Sequence, residues 1–150
     1  MNLDFTEPTV IKGGSATDDR GSLLFINDLV LSNFRRFYTV QNHKSGFIRA
    51  WHGHQKESKA LIVLKGSAII GAVKMTDTKN PDKSEKVSRF VLSSSLPSAL
   101  FVPKGYANGF MTLTDDALIL IFSSSELKDS LDDDYRFDFD YWNPWIIEPR

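Results

Sequence analysis

Residues 52–66 read HGHQKESKALIVLKG. Two histidines one residue apart, a charged loop, an apolar run and a closing glycine suggest a metal-binding β-barrel. The residue placed to complete such a site is Lys59, and an ammonium group has no lone pair to give a cation. Its charge would also repel a divalent ion in a partly dry cup. Glu57 could supply a carboxylate instead, although alternation along the strand turns it to the same side as Lys59. The stretch therefore asks why a lysine stands beside a pair of histidines.

On either side the same pattern repeats. LLFI, RFYTVQ, SAIIGAVKM, SRFVLS, SALFVP, GFMTLT and DALILIFSS are short, rich in β-branched and aromatic residues, and bounded by Gly, Asn, Asp, Ser or Pro. Each reads as a strand, and LKGS and LTDD read as tight turns between paired strands. Only SSELKDSLDDDYR holds the makings of a turn of helix. Residues 76–86, TDTKNPDKSEK, read as an exposed connection. Many closely spaced strands without an internal repeat predict an all-β sandwich or barrel, with residues 1–150 as one domain.

Composition narrows the function classes. The 150 residues carry 18 basic and 19 acidic side chains, a formal net charge of -1. No positive field points to nucleic acid or an anionic membrane. The absence of cysteine excludes disulfides, thiolate ligands and a cysteine nucleophile. The first residues lack the pattern of a signal peptide, and the apolar run ALILIF is too short to span a bilayer. The expectation is a cytoplasmic protein.

Gly46, His52, His54, Lys59 and Gly66 follow the spacing of the first cupin motif, with Lys59 in its Glu slot. PKGYAN, residues 103–108, follows the second, with Asn108 in its His slot. The resemblance implies a cupin jelly-roll barrel whose metal ligand set has lost two of four members. No metal and no cofactor are expected.

Longer stretches sharpen this. VQNHKSGFIRAWHGHQ, GYANGFMTLTDDA, DDRGSLLFI and YWNPWII resemble segments of the dTDP-4-dehydrorhamnose 3,5-epimerases. RRFYTV and RAWHGHQ are similar also to the sugar-nucleotide 3,4-ketoisomerases. Both resemblances imply a nucleotide-linked 4-keto-6-deoxy sugar, dTDP-linked in the first instance, and chemistry through an enolate. They imply His52 as the base and Lys59 as the cation at the enolate oxygen. Arg49 and Arg20 would hold sugar oxygens or diphosphate, and Gln41 and Asn42 would line the pocket. Tyr38 and Asn108 complete the expected substrate-binding set, and a homodimer is expected from strand exchange among the relatives.

Three positions depart from the epimerase pattern. The proton-donating tyrosine falls near Ile121 or Phe122, the aspartate paired with the catalytic histidine corresponds to Asn143, and the glycine after Arg49 is Ala50. His54 and Tyr38 are the remaining candidates for a proton relay, with His54 readable also as a hydrogen-bonded barrel residue. His43 reads as surface. Trp142 and Trp145 read as closing the barrel or covering a subunit contact, and DSLDDDYRFDFD as a solvated face without chemistry. Epimerisation in surface-polysaccharide sugar synthesis is the main expectation. A ketone shift, a cupin that only binds sugar or nucleotide, and a metal-dependent cupin are the alternatives.

Overall fold

A computed structural model describes residues 4–150 of the chain. Its strands follow the hydropathy alternation closely. In β4 (Arg36–Gln41), Arg36, Tyr38 and Val40 turn inward, while Phe37, Thr39 and Gln41 face out. Strands β6 (Lys59–Lys65) and β7 (Ser67–Lys74) are buried over most of their length, which is why their sequences are nearly continuous apolar runs. Gly66 joins them at φ +67°, a left-handed conformation that glycine adopts without a Cβ clash.

The remaining strands are β1 (Thr9–Lys12), β2 (Gly14–Asp18), β3 (Gly21–Phe25), β5 (Ile48–His54), β8 (Ser88–Ser93), β9 (Ser98–Val102), β10 (Tyr106–Thr112), β11 (Leu118–Ser123) and β12 (Tyr135–Arg136). One antiparallel sheet runs β1-β9-β6-β11-β4 and a second β12-β5-β10-β7-β8, with β2 and β3 forming a separate hairpin. The expected all-β jelly-roll barrel is observed. A short helix α1 (Leu127–Leu131) lies where the sequence suggested a helical turn, whereas β1, β2, β5 and β12 fall outside the stretches read as strands.

Apolar side chains fill three zones. Leu61, Val63, Ile70, Leu100, Phe110 and Ile119 meet between the sheets. Ile11, Ile62, Ala99 and Phe101 lie on the other face of the first sheet, packed by Ile26, Leu29 and Phe34. The outer face of the second sheet carries Trp51, with Trp142 edge-on at 5.4 Å and Trp145 tilted at 5.2 Å between ring centroids. Trp51 is wholly buried there, and its ring lies over Gly71, where a Cβ would fall 2.7 Å from it. The C-terminal tryptophans therefore close one wall of the barrel. The 76–86 connection is only partly free, because its carbonyls at Pro81 and Asp82 accept from Tyr141 and the Trp142 indole.

One irregularity positions the site. Between β5 and β10 the register passes from His52↔Asn108 to Arg49↔Phe110, so Ala50 and Trp51 of β5 stand opposite Gly109 alone. This bulge puts Arg49 on the inner face together with His52 and His54.

Candidate active site

The inner faces of β4, β5, β6, β10 and β11 enclose a cavity of about 290 Å³, walled on its remaining side by residues 127–136. Six expected site residues meet in it: Tyr38, Arg49, His52, His54, Lys59 and Asn108. His52 and His54 come from the second sheet, and Tyr38 and Lys59 from the first.

Lys59 is almost completely buried, 7% exposed, and its Nζ donates to the Tyr38 hydroxyl at 3.3 Å. The Tyr38 ring is flanked by cations, with the Arg36 guanidinium 5.2 Å and the Lys59 ammonium 5.9 Å from its centroid. Burial, together with the positive charges of Arg136, Lys59 and His54, lowers the His52 imidazole to about 4, against a partial opposing pull from Asp134. His52 is thus neutral near pH 7, with a lone pair available. Asn108 donates from Nδ2 to the His52 carbonyl at 3.3 Å, which ties β10 to the strand carrying both histidines.

Glu57 enters the site from behind. Its carboxylate takes bonds from His54, Arg36, Ser123 and Ser130, while Lys59 acts on it as a charge rather than as a bonded partner. Burial by itself would raise this carboxyl, but the His54 and Ser123 bonds and the Lys59 charge outweigh it and lower it to about 2. Asp133 is 5% exposed, and its carboxylate accepts the backbone N–H groups of Gln55, Lys56 and Glu57. Arg136 pairs through Nε with Asp134 at 2.8 Å beside His52, its Cα partner across β12 and β5.

Four expected site residues stand elsewhere. Gln41 faces solvent at the end of β4. Asn42 is buried outside the cup lining: its Nδ2 donates to the Phe47 carbonyl and the Thr112 hydroxyl, and its Oδ1 accepts from Arg49 Nε at 2.8 Å. It orients Arg49 instead of lining the cup. Arg20 sits on the β2–β3 hairpin in a 2.5 Å ion pair with Asp18, its side chain 86% exposed and remote from this chain's cavity lining. Asn143 lies in the tryptophan segment on the outer face of the second sheet, where Oδ1 accepts from the Trp145 N–H at 3.3 Å. It does not pair with His52, because the inner and outer faces of β5 are separated by the sheet itself.

The segment 129–140 is corrected most. Read as a solvated face, it instead supplies Ser130, Asp134 and Arg136 to the cavity and the Asp133 clamp to the turn above it. Sequence reasoning also passed over Arg36, although its alternation with Tyr38 on β4 was a usable signal. Ile121 does line the cavity where the resemblance places a tyrosine, and its Cα partner across the strands is Tyr38. Among the described residues, no three His, Cys, Asp or Glu side chains converge as a metal-binding group. Nor does any helix among them have the length and apolarity to cross a membrane.

Two antiparallel sheets closing over a cup lined from both sides define a cupin-type barrel. The chain belongs to the dTDP-4-dehydrorhamnose 3,5-epimerase family, a family of isomerases, whose pattern matches residues 4–139. Among solved structures it is similar to the dTDP-4-dehydrorhamnose 3,5-epimerase of Bacillus anthracis, which has TDP and PPi bound. That similarity has a TM-score of 0.76 at 23% identity and covers 99% of this chain and 90% of that one. A 3'-monoepimerase from Streptomyces bikiniensis in complex with dTDP matches with a TM-score of 0.74 at 17% identity, over 99% and 80% of the two chains. The sugar 3,4-ketoisomerase of Thermoanaerobacterium thermosaccharolyticum in complex with TDP gives 0.69 at 20% identity, over 91% and 92%. No curated protein sequence matches the chain at a significant level.

Proposed function

We propose that this protein is a metal-independent epimerase of a nucleotide-linked 4-keto-6-deoxy sugar, acting at C3 and as a further candidate at C5. The observation that carries the reading is the neutral His52 imidazole sharing one buried cup with the Lys59 ammonium. A hydrogen on carbon next to a ketone becomes acidic only if the resulting enolate oxygen is stabilised. A neutral imidazole can take the proton, and a fixed cation favours the enolate over the ketone, which lowers the barrier. Tyr38, already bonded by Lys59, is the phenol that can return a proton. Arg49, fixed by Asn42, offers its remaining guanidinium donors to sugar or diphosphate oxygens.

A ketone shift from C4 to C3 is the second reading. The cup's phenol on β4, opposite Ile121 on β11, favours it. Both reactions begin with removal of the C3 proton. Incubation with dTDP-4-keto-6-deoxyglucose in deuterated water is expected to place label at C3, and product stereochemistry then separates the two. Absence of exchange with that sugar and with its GDP and CDP counterparts would leave a binding protein instead. His52→Asn is expected to abolish exchange with the fold intact, and retained exchange would name a different base.

The same proposal includes a homodimer acting in the cytoplasm on sugars destined for surface polysaccharide. The β2–β3 hairpin supports the dimer: a lone two-stranded sheet has little stability in water, and this one exposes Leu23 and Leu24. Packed on a second copy, it would carry Arg20 toward the partner's cup.

A further inference from the structure

Both ring nitrogens of His54 face oxygen. Nδ1 lies 2.5 Å from the Asp133 carbonyl, and Nε2 lies 2.9 Å from Glu57 Oε2. A carbonyl can only accept, so Nδ1 carries hydrogen. An ionised carboxylate can only accept as well, so Nε2 carries hydrogen too. A neutral imidazole has one N–H and satisfies one of these contacts. Two N–H groups make the ring a cation.

The ionisation of Glu57 stands on its surroundings. Its side chain has no exposure, and besides His54 it is met by Arg36 Nη2 at 3.3 Å, the Ser123 hydroxyl and the Ser130 hydroxyl at 3.3 Å. A buried carboxylate surrounded by donors is held charged. The geometry is also rigid. The Asp133 carboxylate accepts from three successive N–H groups, at 2.8 Å from Gln55, 2.8 Å from Lys56 and 3.1 Å from Glu57. The residue that binds Nδ1 therefore also fixes the turn carrying the carboxylate that binds Nε2.

We propose that Glu57 and Asp133 are positioning residues that hold His54 as an imidazolium, making it a second fixed cation beside His52 and not a proton relay. With both N–H groups engaged, His54 has no nitrogen free to take a proton from substrate. Its charge acts through its neighbour on the inner face of β5. The groups around it are Glu57 from the turn, Asp133, Asp134 and Arg136 from the C-terminal segment, Arg36 and Tyr38 from β4, and Lys59 from β6. Tyr106 is its Cα partner on β10, and His52 stands two residues back. Arg136, Lys59, Asp134 and His54 are the charges that act on His52. A cationic His54 therefore works with Lys59 to keep the base unprotonated. The consequence for rate rests on the isomerase reading, while the state of the ring does not.

The chain has three histidines, so nitrogen-15 spectra of the imidazoles are readily assigned. In the unaltered protein at pH 7 and 8, His54 is expected to show two protonated ring nitrogens and His52 one. Glu57→Gln keeps the shape and removes the charge. It should let His54 become neutral by pH 8, whereas His54→Gln, which removes the ring charge at every pH, should move the acid limb of kcat/KM for C3 exchange to higher pH. A neutral His54 in the unaltered protein at pH 7 overturns the proposal, whether or not the variant folds. An unmoved acid limb in a folded His54→Gln protein overturns its action on His52. If no sugar nucleotide exchanges label, the isomerase reading fails alone, and the spectra still decide the state of His54.

Discussion

At the scale of single residues, the site rests on a charge arrangement. His52 stays neutral because burial and the nearby cations Arg136, Lys59 and His54 oppose its protonation. Its ordinary value of 6.5 holds in the unfolded chain, so protons bind the unfolded state more readily between about 6.5 and 4. Through that window this group makes the folded state less stable as pH falls, which urea midpoints at several pH values would register. For catalysis, kcat/KM for C3 exchange is expected to hold as pH drops below 6 and to fall through about 4, where the base becomes protonated. Lys59→Met should lower the exchange rate roughly 100- to 1000-fold, the usual effect of losing a donor at a developing oxyanion. It should also move the acid limb upward, because one cation that depresses His52 is gone. A rate within a fewfold of the original would remove Lys59 from the mechanism. His52, His54, Lys59 and Arg49 were legible in sequence because motif spacing places them on two consecutive strands, β5 and β6, that face each other across the cup. Asn143 was not, because which face of β5 a distant segment covers depends on tertiary packing. Glu57 was legible only as a carboxylate that could serve as a ligand, since most of the donors that surround it come from Arg36, Ser123 and Ser130, far off in sequence.

At the scale of elements, the bulge in β5 and the tryptophan wall matter most. At Gly109, opposite the bulge, a Cβ would fall 2.9 Å from Ala50 Cα. Gly109→Ala must therefore push on the bulge, costing about 1–3 kcal/mol by the usual penalty for overpacking, measurable by urea unfolding. It should also impair exchange more than stability alone explains, because the bulge sets the register that turns Arg49 inward. Trp51→Ala would empty a site with no exposure between Gly71 and two tryptophans and should cost about 3–5 kcal/mol. Most strands of the two sheets were readable from alternation and turn residues, but β1, β5 and β12 were not among them. The 129–140 segment was misread because its composition is that of a solvated loop. What makes it part of the site is the burial of Asp133 against three N–H groups, which composition does not show.

At the scale of the whole molecule, the hairpin is the part without a core. Replacing both Leu23 and Leu24 with glutamate should leave the barrel folded and yield a monomer in sedimentation. An unchanged mass with an intact fold would place the subunit contact elsewhere. The barrel also has a geometry with a chemical meaning. His52 projects from one sheet, and Tyr38 with Lys59 from the sheet that faces it. A sugar ring lying between the sheets presents one face to the imidazole and the other to the phenol. A proton taken on one side and returned from the other inverts the carbon, whereas one returned by His52 leaves its configuration unchanged. Tyr38→Phe should therefore uncouple the two events: deuterium still enters C3, but the recovered sugar keeps its original handedness.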